Sequence, residues 1–221
     1  MRKVLVNIGC GFTVGESWLN FDASPTLLYE KVPFLTYIYK KNEAPFPKNV
    51  KYGDITKKRL CAPDTADAVF ASHVFEHLAH DEMQSALQNI FAMLKPGSVF
   101  RLIVPDLENR ARKYIENADK KRPEASLEFI SATGMGMKHS PKTLFQKLTR
   151  LFGHSQHLWM YDVIAMESEL EQVGFVNVRK CIFNDGDIEE FKEVEEEERF
   201  KSAFGDEVCI QCEKPNDPSS P

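Results

Sequence analysis

An apolar run, Val4-Leu5-Val6 and Ile8, breaks at Gly9-Cys10-Gly11, and a second short run ends on an acid, Leu19-Asn20-Phe21-Asp22. Stretches this short and continuous are typical of strands covered on both faces of a sheet. Two glycines at the end of such a strand permit a sharp turn and let a ligand lie against bare backbone. The pattern reads as two adjacent parallel strands with a ligand between their carboxyl ends, where Asp22 offers a carboxylate to a ribose diol. The plainer alternative is a tight turn in an α/β protein that binds no nucleotide.

Spacing narrows the ligand. Only residues 9 to 18 separate Ile8 from Leu19, whereas a crossover with its own helix takes at least roughly 10–12 residues. The first helix is therefore expected to be short or absent. A nicotinamide dinucleotide wants Gly-x-Gly-x-x-Gly opening a helix whose N-terminus holds the pyrophosphate. Here the third glycine comes late, at Gly15, and the acid early. S-adenosylmethionine has no phosphate, so it tolerates losing that helix.

At 221 residues, 43% of them hydrophobic, the chain can bury a full core without a covalent staple. A single domain over residues 1–214 is expected, with a disordered tail at 215–221. No run approaches the roughly 18 apolar residues of a membrane span, and the start shows no signal-peptide pattern, so a cytoplasmic protein is expected. The five cysteines, Cys10, Cys61, Cys181, Cys209 and Cys212, read as reduced thiols. Cys209 and Cys212 are either a metal pair or side chains on opposite faces of a terminal strand.

The net charge of −5 hides an asymmetry: residues 185–207 hold 11 acids against 3 bases, which leaves the remainder of the chain at +3. The acidic run Glu195 to Glu198 reads as a solvated helix face or loop. By contrast, residues 129–161 contain no acid and carry Lys138, Lys142, Lys147 and Arg150. That stretch suits an anionic substrate or membrane surface, or is simply a solvated helix.

Periodicity places a helix from Leu27 to Lys41, interrupted at Pro33, with Tyr37 and Tyr39 in a lid or in buried structure. Val50-Lys51-Tyr52 and Ala66 to Ser72 read as strands, and Glu82 to Leu94 as a helix closed by Lys95-Pro96-Gly97. A strand at Val99 to Val104 follows. Residues 110–161 are expected to form a helical elaboration over the site. Tyr161 to Val173 is a helix stopped by Gly174, and Val176 to Phe183 and Val208 to Cys212 are the last strands. The alternation describes an α/β, doubly wound, mostly parallel Rossmann-like sheet with an antiparallel last strand. Gly9 to Gly11, Asp22, Asp54 and Ser72-His73 then share one rim, beyond the carboxyl ends of the strands.

These residues resemble the class I S-adenosylmethionine-dependent methyltransferases, through Asn7-Ile8-Gly9-Cys10-Gly11, Asp22, Gly53-Asp54, the stretch Asp67 to Leu78, Leu94-Lys95-Pro96-Gly97 and Gly174-Phe175. His157-Leu-Trp-Met-Tyr-Asp162 looks like a poorly characterised bacterial branch of that superfamily. The resemblance implies that Gly9 and Gly11 pass under the methionine portion of the cofactor and that Asp22 holds the ribose. It also implies that Asp54 with the Ile55 backbone recognises adenine. Asn7 stands where many members have an acid, and with Cys10 and Ser72 it completes the expected cofactor set.

Methyl transfer is an in-line displacement at a sulfonium, so positioning in a dry site is the main task, and a base matters only for a hydroxyl or protonated amine acceptor. His73, just past a strand end, is the candidate base or else a hydrogen-bonded rim residue. His77, His157 and Tyr161 are candidates to bind the acceptor, with His154, Trp159 and Asp162 beside them. His73-Val-Phe-Glu76-His77 also fits one zinc-peptidase pattern, but it follows a buried strand and no distal ligand stands out. No metal is assigned. The alternative is a divalent ion on His73, Glu76 and His77, softer than the related Glu-x-x-Glu-His set of some methyltransferases.

The reading is a methyltransferase acting on a small or carrier-linked acceptor, a sugar or other anionic metabolite. Its rivals are a non-catalytic cofactor-binding module that docks through residues 110–161, and a dinucleotide oxidoreductase. A nucleic-acid substrate is not expected, because the chain is acidic overall and lacks an Asn-Pro-Pro-aromatic motif for a flipped base.

Overall fold

A computed structural model describes residues 3–30, 45–137, 140 and 156–216. In chain order its elements are β1 (Leu5–Ile8), β2 (Trp18–Asp22), α1 (Pro25–Glu30), β3 (Val50–Tyr52), β4 (Ala66–Ser72), α2 (His80–Met93) and β5 (Leu94–Val104). Then come α3 (Leu107–Asp119), α4 (Ala125–Ala132), α5 (Val163–Val173), β6 (Val176–Lys180), a small hairpin of β7 (Lys201–Ser202) and β8 (Gly205–Asp206), and β9 (Val208–Glu213). Seven strands form one sheet in the order β3-β2-β1-β4-β5-β9-β6. β1 to β5 pair in parallel, and β9 runs antiparallel between β5 and β6. This is the doubly wound sheet with an antiparallel last strand that the sequence predicts.

No helix lies between β1 and β2: residues 9–17 are turn, bend and irregular backbone throughout. One face of the sheet is covered by α2 and α5, whose Met83, Leu87, Ile90, Met166 and Leu170 are buried against Val6, Val69, Phe100 and Ile210. The opposite face is closed by the acid-rich arm of residues 185–207, through Phe191, Val194 and Phe200 on Leu5, Phe70 and Ile103. Cys209 belongs to this second cluster and Cys212 to the first. The pair therefore straddles the sheet, as the strand reading has it, and is too divided to share a metal.

The arm corrects the expectation of a solvated acidic face. Glu195 is buried and pairs with the fully buried Arg101 of β5, Nε donating to Oε1 at 2.5 Å. Phe191 and Phe200 each place a ring 5.6 and 5.7 Å from the same guanidinium. Glu207 is likewise buried and accepts two parallel bonds from Arg110 of α3, at 2.8 and 2.9 Å. Only Glu197 and Glu198 of the run are exposed.

Several boundaries differ from the sequence reading. Lys95-Pro96-Gly97 does not follow the helix as a loop: β5 already begins at Leu94 and bulges there, because the register steps from Ala66↔Leu94 to Ala68↔Val99. α5 begins at Val163, since the Asp162 carboxylate caps it by accepting from Ala165 N at 2.8 Å; Asp162 is thus spent on the helix and not on a pocket. β6 stops at Lys180. Gly174 ends α5 with φ +108°, the left-handed cap that glycine favours. The predicted helix beyond Glu30, with Tyr37 and Tyr39, lies outside the described residues. So do Lys138, Lys142, Lys147, Arg150, His154 and the last five residues.

Candidate active site

A cavity of about 590 Å³ opens at the carboxyl ends of β1 to β4, lined among others by Gly9, Asp22, Tyr52, Asp54, His73 and His77. Its floor is the glycine turn. Gly9 adopts φ +62°, and a side chain there would come within 2.4 Å of Val74 Cγ2. The missing Cβ at Gly9 thus makes room for Val74, itself a lining residue, before it makes room for any ligand. Gly11, at φ +54°, faces open space, and its N–H donates to Asp22 Oδ2 at 3.0 Å.

Asp22 also accepts from Ser24 N at 2.7 Å on its other oxygen. Two backbone donors therefore fix the carboxylate at the tip of β2 with lone pairs left for a diol. Asp54, just beyond β3, accepts from Thr56 N and Oγ1 at 3.0 and 2.6 Å and pairs with Lys57 at 2.8 Å. Partial burial raises its pKa, but the bonds from Lys57 and Thr56 outweigh that and hold it below the usual carboxylate value.

His73 follows β4 with φ +55°, a strained conformation for a residue with a side chain. Its N–H is tied to Ile103 O at 2.9 Å. Nδ1 lies 3.1 Å from Glu76 Oε1 and Nε2 3.2 Å from the carbonyl of Arg199. A carbonyl and a carboxylate both only accept, so the two contacts together favour the protonated ring over either neutral tautomer. Burial opposes that charge, yet the Glu76 bond and the Arg199 carbonyl outweigh it and raise the His73 pKa above its ordinary value. Both ring nitrogens face acceptors in this arrangement, which suits the hydrogen-bonded rim residue, the alternative reading of His73, better than the general base.

The other predicted residues divide by where the chain spends them. Asn7 is buried and donates to Thr13 O and Asn20 Oδ1 at 3.0 and 3.1 Å, bracing the loop between β1 and β2 behind the cavity. Cys10 is buried with Leu27 and Val50, and desolvation pushes its thiol up to about 12. Ile55 is core, its carbonyl taken by Asn89 Nδ2 at 2.8 Å. Ser72 Oγ is buried with no hydrogen-bond partner among the described residues. None of these four side chains lines the cavity.

Tyr161 is 2% exposed in the main core, with a hydroxyl that has no partner among the described residues and whose pKa burial raises, so it does not reach an acceptor from there. His157 stands behind His77, rings 4.9 Å apart and near perpendicular. Leu28 and Tyr52 were missed as lining residues. Their signal is large apolar surface left 43% and 39% exposed beside the rim.

Strand order and strand-end acids around one cavity define the class: a Rossmann-like S-adenosylmethionine-dependent methyltransferase. The chain belongs to the methyltransferase-domain family, whose sequence model matches residues 14–180. Its structure resembles that of a methyltransferase solved with the Haloferax volcanii Trm112 methyltransferase activator, at 14% identity and TM-score 0.51, over 99% of this chain and 85% of that one. It also matches an S-adenosylmethionine-dependent methyltransferase from Thermotoga maritima, at 14% identity and TM-score 0.48, over 97% and 83%. No curated protein matches. Among the described residues no helix is long and apolar enough to cross a membrane.

The residues present fit the family's cofactor. The cavity volume is in the range of about 300–1,000 Å³ usual for small-molecule sites, and Asp22 is held with acceptor capacity facing it. No helix N-terminus follows β1 to receive a pyrophosphate, and S-adenosylmethionine has none to place there.

Proposed function

We propose that the chain methylates a small or carrier-linked acceptor bearing negative charge, with Asp22 holding the cofactor ribose and Asp54 facing its adenine. The observation that carries this reading is the convergence of Gly9, Asp22, Asp54 and His73 from the ends of four neighbouring strands on one cavity. The cofactor supplies an electrophilic methyl on a sulfonium. The chain's part is to hold it and align the acceptor behind it.

Gly11 N–H and Ser24 N–H fix Asp22, so the diol meets a carboxylate that does not have to be ordered on binding. Leu28, Val74 and Leu78 give the approach apolar walls, while the raised pKa of His73 favours positive charge at the rim. That charge, and the acid-free stretch 129–161, favour an anionic acceptor. Five free cysteines favour a reducing compartment, the cytoplasm.

Calorimetric titration with S-adenosylhomocysteine beside NAD tests the reading. The expected result is saturable binding of the homocysteine compound alone, weakened about 10- to 150-fold by Asp22→Ala, the equivalent of one charge-assisted hydrogen bond. Binding of NAD alone, or affinity unchanged in Asp22→Ala, would overturn it.

A further inference from the structure

We propose that Glu76, His77 and His157 bind a divalent transition-metal ion, with Zn²⁺ the best match, in the wall of the cavity. One oxygen or nitrogen atom from each side chain lies within 4.8 Å of the others. Zinc with two imidazoles and a carboxylate keeps its ligand atoms about 3.3 Å apart, so closure asks each side chain for less than about 1 Å of movement. His77 Nε2 already stands 3.8 Å from Glu76 Oε1.

The tautomers point the same way. His77 Nδ1 faces the carbonyl of Gln156 at 3.2 Å, and His157 Nδ1 faces the carbonyl of Thr133 at 2.7 Å. A carbonyl only accepts, so in the neutral ring each Nδ1 carries the proton and each Nε2 keeps its lone pair. Ring nitrogens fixed in this way by backbone carbonyls are the usual support of metal-binding histidines. Gly134 protects the arrangement, since a Cβ there would sit 2.6 Å from His157 Nδ1.

Glu76 supplies the third and independent observation. Its side chain is fully buried, yet Oε2 has no hydrogen-bond partner among the described residues. A buried carboxylate oxygen left bare is costly, and a cation would remove that cost. His73 Nδ1 holds the other oxygen at 3.1 Å. The backbone carbonyl of Glu76 accepts from Leu158 N and Trp159 N at 2.7 and 3.2 Å, and this clip brings His157 to a turn 81 positions earlier in the chain.

Two imidazoles and one carboxylate favour zinc and its neighbours over Mg²⁺, which prefers oxygen ligands. Three protein ligands leave coordination positions open, and His77 lines the cavity, so an acceptor hydroxyl or carboxylate oxygen can take one. This use of the ion rests on the methyl-transfer reading; its binding does not.

The test is titration of the metal-stripped full chain with Zn²⁺, with Mg²⁺ alongside, followed by the visible spectrum of the Co²⁺ form. We expect one Zn²⁺ site, no matching Mg²⁺ site, and at least 10-fold weaker Zn²⁺ binding in Glu76→Gln, His77→Gln and His157→Gln. His80→Gln, whose ring pairs with Glu169 outside the cluster, should bind as the parent does. Circular dichroism checks that each variant folds, and the Co²⁺ spectrum of the unaltered chain needs no variant. No saturable Zn²⁺ binding, binding indifferent to all three substitutions, or a thiolate charge-transfer band with Co²⁺ would overturn the site. S-adenosylhomocysteine is titrated into the same samples: its failure with Zn²⁺ retained strikes the methyl-transfer reading and leaves the metal site standing.

Discussion

Removing the Glu195 carboxylate should damage this fold more than any other change in the acidic arm. Arg101 points from β5 into the layer beneath the arm with no exposed side-chain surface. Its partners are Glu195, the Ile182 carbonyl at 2.7 Å and Gln211 at 3.4 Å. Asp185 Oδ1 also lies 2.8 Å from Nη2, close enough for an ion pair but without hydrogen-bond alignment. Breaking one side of a buried pair costs about 3–5 kcal/mol, because a charge is left without its partner. Asp185 and the two phenylalanine faces keep part of that compensation, so Glu195→Ala should cost about 3 kcal/mol. At roughly 2–4 °C per kcal/mol for a chain this size, that is a fall of about 6–12 °C in Tm.

The discriminating step is the double replacement Arg101→Met with Glu195→Leu. Exchanging a whole buried pair for apolar groups of similar volume is often neutral or stabilising, so the double variant should recover most of the loss. Urea unfolding of the parent, Arg101→Met, Glu195→Leu and the double variant gives the coupling directly. A loss below about 1 kcal/mol in Glu195→Ala, or a double variant no better than the single, would refute the account of the arm as a buried counter-ion layer.

Gly9→Ala and Gly11→Ala should separate two roles of glycine. Both incur about 1–2 kcal/mol for a positive φ, but only Gly9→Ala drives a methyl into Val74. It should lose S-adenosylhomocysteine affinity as well as stability, and equal behaviour of the two in calorimetry would contradict the geometry. Glu207→Gln tests the second buried pair through pH. Burial raises the Glu207 pKa, but the Arg110 and Asp106 N–H bonds outweigh it and leave it lowered. The stabilisation is therefore present above the unfolded value of about 4.3 and is lost as pH falls through the lower folded value. The Tm gap between the parent and Glu207→Gln should be widest near neutrality and shrink in acid; a constant gap would count against the pairing.

What the sequence showed well was local. Buried parallel strands are continuous apolar runs, so β1, β2 and β4 could be read from a few residues each, and a ten-residue gap was enough to predict the missing helix. Asp22 and Asp54 were legible because they terminate such runs. The acidic arm was not, because its 11 acids dominate the composition while Phe191, Val194 and Phe200 make the contacts. Glu195 is distinguished from its exposed neighbours only by Arg101, 94 positions away. His157 could be nominated from its surroundings, but its place beside Glu76 depends on a backbone clip that no periodicity encodes. Both of the His73 nitrogens are likewise occupied by groups whose approach is a matter of tertiary structure.

The arm also explains how a sheet can lose its first helix and keep a cofactor site. That helix would cover one face of β1 and brace the turn that follows it. Here Phe191 and Val194 cover the face, while Glu193 accepts from Ser17 N at 2.9 Å and Glu196 from Thr13 Oγ1 at 2.9 Å, bracing the loop from outside. Trp18 Nε1 donates to the Glu190 carbonyl at 2.9 Å and fixes the start of β2 to the same segment. Three residues beyond Glu196, the Arg199 carbonyl takes the His73 ring. One segment thus supports the glycine turn at one end of the cavity and His73 at the other. Two of these supports, Glu193 and Glu196, are carboxylates, and the other two are backbone carbonyls of Glu190 and Arg199, so the arm's acidity serves the loop between β1 and β2 while its backbone holds Trp18 and His73.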